Sequence, residues 1–328
     1  MDDMGNGILL ADVGGTNVRF AVLRGTALGP VTYLEVADHA SFADAVAAYL
    51  ALAGGTVGEA VLAVAGVVTA ERCALTNNDW IVDAVELRTR FGLSSVHLVN
   101  DFEAIAWALP QLVPADLKQI GGTRPVAGAP MAVLGPGTGL GVAACVPHSG
   151  GDFIIHSEGG HATAPAGNAR EAAVIAALRA EFEHVSIERL LSGPGLENIY
   201  RALAAIDRAQ PPERSAADIV KVARDATCPA SRAALDMFCA MLGDIAGNLA
   251  LTFGAKGGVY IAGGVTARLG GEIDRSAFRT RFEAKGRMRG YVAPIPVYLI
   301  VHSDPAFVGL RALTLSGASR SRGRVLPG

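Results

Sequence analysis

The chain has 328 residues, more than one compact core usually supports, which predicts two domains. Its hydrophobic content of 51% and charged content of 18% are typical of a soluble protein with a large core and a modest polar shell. The formal net charge is -3 and no basic stripe runs along the body of the chain, which argues against nucleic acid as a partner.

Cysteine usage and the absence of targeting signals favour the cytoplasm. The four cysteines are widely spaced and form no CxxC pair, as expected of buried, reduced thiols. Residues 1–6 are polar and acidic, unlike a signal peptide. Residues 125–147 carry no charge, but nine of them are Gly or Pro, which argues against a membrane-spanning helix.

The first predicted element is a β-hairpin with a glycine turn. Apolar runs at residues 8–12 and 18–23 flank the turn sequence Gly-Gly-Thr-Asn at 14–17. Chain reversal alone accounts for the glycines. Alternatively, the turn amides cradle phosphate oxygens while Asp12, at the end of the first strand, holds a hydrated Mg²⁺.

Strands and helices then alternate as far as residue 109. The predicted strands are 31–36, 59–65 and 95–99, and the predicted helices are 42–52, 82–91 and 102–109. Ser41 and Asp44 form a capping-box pattern at the first helix. The resulting order β-β-β-α-β-α-β-α resembles the repeated half of the actin-like ATPase and sugar kinase superfamily, a likeness that concerns the fold and does not fix a function.

Asn100 and Asp101 occupy the junction between the strand at 95–99 and the helix at 102–109. Open α/β sheets bind ligands beyond the carboxyl ends of parallel strands, so a carboxylate here can accept a proton from a substrate hydroxyl. The alternative is structural, with Asp101 capping the helix through the amides of its first turn.

The hairpin pattern recurs after a Gly- and Pro-rich linker region within residues 110–130. Apolar runs at 131–134 and 142–146 flank the glycine-rich segment 135–141. We interpret the recurrence as an internal duplication that gives two phosphate loops facing each other across a cleft. The segment is neither a GxGxxG fingerprint nor a Walker A sequence.

A polar cluster follows at His156, Glu158 and His161. Gly159 and Gly160 break the helix that an HExxH zinc site needs and no cysteine ligands follow, so hydrogen bonding to vicinal hydroxyls is the better explanation. Glu188 adds a second acceptor, although a solvated helix residue is the simpler interpretation of Glu188 taken alone.

The rest of the chain is predicted to be mostly helical from 168 to 253, with Ser215 and Asp218 as a second capping box. A strand at 258–262 ends in Gly263-Gly264, which admits an adenine and ribose or simply allows close packing. A last strand at 295–301 and a last helix at 307–315 precede a Ser-, Gly- and Arg-rich tail, which we expect to be disordered over 319–328.

Seven segments carry a family resemblance: residues 12–17, 99–102, 135–141, 158–161, 188–195, 261–264 and 296–301. Together, in this order, they resemble the bacterial glucokinase family of the enterobacterial type, over about residues 8–315. The CxCGxxGCxE zinc signature of the other bacterial sugar kinase and repressor family is missing. Because the hairpin begins at residue 8, we also expect no DNA-binding segment.

The resemblance implies a two-domain actin-like ATPase (ribonuclease H-like) α/β fold, with mixed sheets and a cleft between the domains. We expect a small domain at 1–111, completed by 302–318, and a large domain at 112–301. The implied activity is ATP-dependent phosphorylation of the 6-hydroxyl of glucose, with Mg²⁺ as cofactor. We expect a cytoplasmic homodimer that binds neither membrane nor nucleic acid.

Site residues carry over from the family one by one. Asp101 matches the catalytic base. The sugar ligands are matched by Asn100, Asp101, Glu158, His161 and Glu188. The nucleotide-binding segments are matched by Asp12, Val13, Gly14, Gly15, Thr16, Gly137, Thr138, Gly139, Gly263 and Gly264, and Asp12 is the candidate to hold Mg²⁺ through water.

Three alternatives remain open at this point. His156 and Ser157 stand where the family has a Pro-Gly-like pair, so another hexose, such as mannose, fructose or glucosamine, is an alternative substrate. A non-catalytic sugar sensor on the same scaffold is disfavoured by the intact Asp101. An actin-like ATPase acting on a protein partner is disfavoured by the polar set at 158, 161 and 188, which has no use there.

Overall fold

The computed structural model describes residues 7–69, 71–75, 78–210 and 212–318. The predicted disorder of the tail at 319–328 concerns residues outside these ranges. The chain divides into two compact units, the first formed by Met1–Leu112, Gly150–Ile154 and Ser303–Gly328 and the second by Val113–Ser149 and Ile155–His302. Each unit combines a mixed sheet with helices, as the predicted α/β class requires.

Strands and helices are numbered in chain order. The strands are β1 (Gly7–Val13), β2 (Asn17–Arg24), β3 (Ala27–Leu28), β4 (Thr32–Glu35), β5 (Val57–Val64), β6 (Arg72–Ala74), β7 (Ile81–Asp83), β8 (Ser95–Asn100), β9 (Leu117–Gln119), β10 (Met131–Pro136), β11 (Leu140–Val146), β12 (Phe153–Ser157), β13 (Gly258–Ile261) and β14 (Val297–Ile300). The helices are α1 (Phe42–Ala53), α2 (Ala84–Phe91), α3 (Asp101–Ala108), α4 (Ala169–Leu178), α5 (Gly193–Ile206), α6 (Ala216–Arg224), α7 (Pro229–Thr252), α8 (Gly264–Leu269), α9 (Glu272–Arg275), α10 (Phe278–Glu283), α11 (Arg289–Val292) and α12 (Pro305–Leu315).

The two main sheets repeat one pattern. In the first, of order β3-β2-β1-β5-β8, the hairpin β1-β2 is antiparallel, and β5 and β8 continue parallel to β1. In the second, of order β12-β11-β10-β13-β14-β9, the hairpin β10-β11 is antiparallel, and β13 and β14 continue parallel to β10. The recurrence of the hairpin in the sequence therefore corresponds to a repeated sheet topology.

Most predicted elements are present, with limits shifted by a few residues. Ser41 and Ser215 cap α1 and α6 as predicted, each accepting the amide of the aspartate three residues later. The glycine-rich segment 135–141 was predicted too long as a loop, because β10 extends to Pro136 and β11 begins at Leu140. The short strands β3, β6, β7 and β9 were missed, since two or three residues carry no readable period.

Helix α7 forms the centre of the second unit's core. It is long and apolar enough to cross a membrane by length and composition, but 67% of its most apolar window is buried. Leu235, Phe238 and Leu242 are fully buried in the same cluster as the apolar faces of α5 and α6. The apolar character of α7 is therefore used by packing within the unit.

Helix α3, which begins at Asp101, is held against α12 by a close backbone approach. A Cβ atom added to Gly309 of α12 would lie 1.7 Å from the carbonyl oxygen of Ala104. Ala104, Phe307 and Leu310 are buried to 1% exposure or less in the first unit. Only glycine allows this crossing, so the end of the chain fixes the position of α3.

Candidate active site

The first hairpin ends in the predicted glycine turn. The pair Val13 and Val18 closes the β1-β2 ladder, and the Gly14 amide donates to the Asn17 carbonyl at 3.1 Å. The Asn78 amide group donates to the Gly15 carbonyl at 3.2 Å. The turn is thus fixed from outside by a residue that sequence reasoning missed, because Asn78 lies 63 positions further along the chain.

Asp12, the carboxylate that precedes this turn, is paired. Arg19, its neighbour across the ladder, donates to Asp12 Oδ2 at 2.9 Å, and its Nε lies 3.9 Å from Asp304 Oδ1. Tyr33 donates to that same Asp304 oxygen at 2.6 Å. Burial raises the pKa of Asp12, Asp304 adds to the increase, and Arg19 opposes it.

At the end of β8 the structure assigns the helix cap to Asn100. Its Oδ1 accepts the amides of Phe102 at 2.9 Å and Glu103 at 3.4 Å, while its amide group donates to Gly66 O at 3.3 Å. Asp101 is the first residue of α3, and its Oδ1 also accepts the Phe102 amide, at 2.9 Å. The N-cap position of α3 thus belongs to Asn100, while Asp101 also accepts an amide of the first turn, as the structural alternative predicted.

The hairpin turn and the Asn100-Asp101 junction lie at the carboxyl ends of the parallel strands in the first sheet. Strands β1, β5 and β8 end together, since Val13 is paired with Val64 and Val64 with Asn100. Ligands of open α/β sheets bind beyond these strand ends. The candidate phosphate turn and the candidate base are thus brought to the same end of the first unit.

The second unit contains the other glycine segments. The Gly137 amide donates to the Gly139 carbonyl at 2.8 Å, which closes a tight loop between β10 and β11. Gly263 has φ +92°, and an added Cβ would lie 2.5 Å from the Pro136 carbonyl oxygen. Gly263 and Gly264 therefore lie beside the loop 137–139, at the ends of the adjacent strands β13 and β10.

Glu158, His161 and Glu188 are brought together in the same unit. His161 Nε2 lies 3.9 Å from Glu158 Oε2, and His161 Nδ1 lies 3.9 Å from Glu188 Oε1. The side chains of Glu158 and His161 are 63% and 60% exposed, whereas that of Glu188 is 26% exposed. A cavity of about 380 Å³ adjoins His161 and Glu188. The set offers several acceptors and a histidine to a small polyhydroxyl ligand.

Asp12 fits a hydrated divalent cation bound mainly by phosphate. No group of three or more metal-ligating side chains occurs among the residues that the structure describes. Mg²⁺ at nucleotide sites commonly keeps several waters and takes one or two carboxylates together with phosphate oxygens. One carboxylate beside an amide-rich turn meets that requirement once the ion pair between Arg19 and Asp12 is broken.

Arg19, Tyr33 and Asp304 form a cluster with Asp12 in the candidate site, and sequence reasoning missed all three. Asp304 lies 292 positions after Asp12 in the chain, yet both carboxylates approach one guanidinium group. The available signal was small: Asp304 precedes Pro305, a pair typical of a helix start. Nothing in that local pattern connects Asp304 to the hairpin.

Comparisons with known proteins give the family and the fold of the chain. The family model described as Glucokinase matches residues 9–316. A glucokinase of Paramagnetospirillum magneticum is 47% identical over 311 residues, which are 93% of this chain and 97% of that protein. The crystal structure of a glucokinase from an Antarctic psychrotroph has a TM-score of 0.84 at 34% identity and covers 94% of this chain and 98% of its own. A ROK family glucokinase from Streptomyces griseus shares the fold, with a TM-score of 0.63 at 18% identity and coverage of 94% and 99%.

The fold is that of sugar kinases with the actin-like ATPase fold. Within this class the family match extends over nearly the whole chain. The chain belongs to the glucokinase family.

Proposed function

We propose that the protein is a glucokinase that transfers the terminal phosphoryl group of ATP to the 6-hydroxyl of glucose. The structural observation that carries the proposal is Asp101, a carboxylate at the end of a parallel strand whose neighbour Asn100 supplies the helix cap. The match to the family model over residues 9–316 supports the same activity.

Asp101 acts as the general base. It takes the proton of the 6-hydroxyl as that oxygen attacks the phosphorus in line with the leaving group. Asn100 binds the sugar beside it through an amide group already oriented by its contact with Gly66. Positioning of this kind converts a slow bimolecular encounter into a reaction between aligned groups.

Glu158, His161 and Glu188 bind the hexose through its hydroxyls. Two carboxylates and one imidazole supply acceptors and a donor to neighbouring hydroxyls. A site that hydrogen-bonds each hydroxyl discriminates against sugars that lack one, because its polar groups then stay unpaired. We propose glucose as the preferred substrate, with mannose, fructose and glucosamine as the hexoses to compare.

ATP is held by the segments that the family resemblance assigns to nucleotide binding: Asp12, Val13, Gly14, Gly15, Thr16, Gly137, Thr138, Gly139, Gly263 and Gly264. Glycine turns let backbone amides approach phosphate oxygens closely. Asp12 is the residue proposed to hold Mg²⁺ through water, and the ion would neutralise phosphate charge there.

A coupled assay of ATP consumption with each hexose tests the proposal. We expect the highest kcat/KM with glucose and a product phosphorylated at position 6 by NMR. Binding of glucose without ATP consumption would favour the sensor, and a higher kcat/KM with another hexose would reassign the substrate. We further propose that the protein is a cytoplasmic homodimer without membrane or nucleic-acid partners. Analytical ultracentrifugation measures its mass in solution and so tests the dimer.

A further inference from the structure

The two carboxylate oxygens of Glu188 face different segments of the second unit. Oε2 accepts the backbone amide of Leu140 at 2.9 Å, directly after the loop 137–139. Oε1 lies 3.9 Å from His161 Nδ1, on the proposed sugar side. A carboxylate accepts several hydrogen bonds, so both contacts can be made at once.

The backbone next to Glu188 ties the same segments together. The Glu188 amide donates to the Gly160 carbonyl at 2.9 Å. The Gly193 amide, at the start of α5, donates to the Gly137 carbonyl at 2.8 Å. The glycine loop is therefore held at both ends by residues 188–193, and the sugar-facing segment 158–161 is attached to the same residues.

Two glycines permit this close packing. A Cβ atom on Gly139 would lie 2.4 Å from Glu188 Oε2, and one on Gly160 would lie 2.1 Å from the Leu140 carbonyl oxygen. The carboxylate thus lies directly against the backbone of the loop, with no side chain between them. Because the two are closely packed, a change in the position of this carboxylate must shift the backbone of the loop.

We propose that Glu188 is a positioning residue for the nucleotide loop in addition to a sugar ligand, and that it couples the two binding events. This inference rests on the proposed function, in which the loop 137–139 binds ATP. A glucose hydroxyl bound at Oε1 fixes the Glu188 rotamer, which keeps Oε2 on the Leu140 amide and the loop in its binding form. Glucose and nucleotide therefore strengthen each other's binding, by the same factor in both directions.

Calorimetric binding of AMPPNP with Mg²⁺, with and without glucose, tests the inference. Without glucose we expect Glu188→Ala to bind AMPPNP about tenfold more weakly than the wild type, because one charge-assisted hydrogen bond to the loop is lost. Glu188→Gln keeps an acceptor oxygen for Leu140 without the charge, so we expect its affinity for AMPPNP to lie between those of the wild type and Glu188→Ala. The strengthening of AMPPNP binding by glucose disappears in Glu188→Ala.

Glu158→Ala is the matched control, since Glu158 also lies beside His161 but makes no hydrogen bond or ion pair with the loop 137–139 among the described residues. We expect it to weaken glucose binding and to leave the glucose-free affinity for AMPPNP unchanged. Thermal unfolding checks each variant. If Glu188→Ala does not fold, Glu188→Asp, too short to reach the Leu140 amide, replaces it with the same expected loss.

Equal AMPPNP affinities of the wild type and the folded Glu188 variant, in the absence of glucose, would overturn the inference while leaving the proposed function intact. A comparable loss in Glu158→Ala would also overturn it, because the effect would then belong to the sugar side as a whole. A wild-type protein that binds no AMPPNP would instead contradict the proposed function.

Discussion

Asn100 and Asp101 are adjacent, yet only the Asn100 side chain occupies the capping position of α3. Asn100 Oδ1 accepts the amides of the first helical turn, and Asp101 begins the helix itself. Asp101 Oδ1 also accepts the Phe102 amide, but that amide keeps its bond to Asn100 when Asp101 is replaced. The proposed base and the residue at the capping position are therefore different side chains. The separation makes each role testable by its own substitution.

Replacing Asp101 should strongly reduce turnover without unfolding the protein. For Asp101→Ala we expect kcat to fall by roughly 10² to 10⁴ or more, the usual effect of losing a general base. The Phe102 amide loses its bond to Asp101 but keeps the one to Asn100, so the midpoint of urea unfolding should change little. The coupled ATP assay and circular dichroism measure the two quantities. Near-normal turnover would contradict the assignment of Asp101 as the base.

Replacing Asn100, in contrast to Asp101, should lower the stability of the protein. Asn100→Ala removes the cap of α3 and should lower the free energy of unfolding by about 1 kcal/mol, besides weakening glucose binding. Ser215→Ala is the matched control, because Ser215 caps α6 through the Asp218 amide and has no proposed role in the site. The control should show a similar loss in urea unfolding with an unchanged KM for glucose. A full KM effect in the control would mean that cap loss alone disturbs the site.

Local patterns identified most of the fold and several residues of the candidate site. The turn at 14–17 and the junction at Asn100 and Asp101 are visible because glycines and polar residues interrupt apolar runs. The Asp12, Arg19 and Asp304 cluster was not, since it joins residues from opposite ends of the chain. Glu188 was found as an acceptor, but its contact with Leu140 depends on backbone packing at Gly139 and Gly160.

Removing Arg19 should create a pH-dependent loss of stability. Burial and Asp304 raise the pKa of Asp12, and Arg19 opposes them. Without Arg19 this pKa rises further, so ionised Asp12 disfavours the folded state more strongly. A raised carboxyl pKa makes the folded state relatively more stable as the pH falls through that pKa. The penalty in Arg19→Met should therefore be largest at neutral pH and shrink in acid.

Urea unfolding at about pH 7.5 and about pH 5 measures this effect. We expect Arg19→Met to be about 1–2 kcal/mol less stable than the wild type at the higher pH, less than for a fully buried pair because the Arg19 side chain is 34% exposed. For the double variant Asp12→Asn, Arg19→Met, the difference in stability from the wild type should depend much less on pH, because the titrating carboxylate is absent. A difference that is equal at both pH values would contradict the pKa argument.

The close crossing of α3 and α12 should make Gly309 intolerant of a larger side chain. Because a Cβ on Gly309 would lie 1.7 Å from the Ala104 carbonyl oxygen, Gly309→Ala must separate the two helices. We expect a loss of about 3 kcal/mol in the free energy of unfolding, at the upper end for overpacking, since the atom met is backbone and cannot rotate away. Activity should fall as well, because α3 carries Asp101 at its first position. Gly290→Ala in α11 is the control: nothing lies within 4 Å of its added Cβ, so it should be neutral or stabilising by up to about 1 kcal/mol. Equal unfolding free energies for the two variants would show that the crossing does not need glycine.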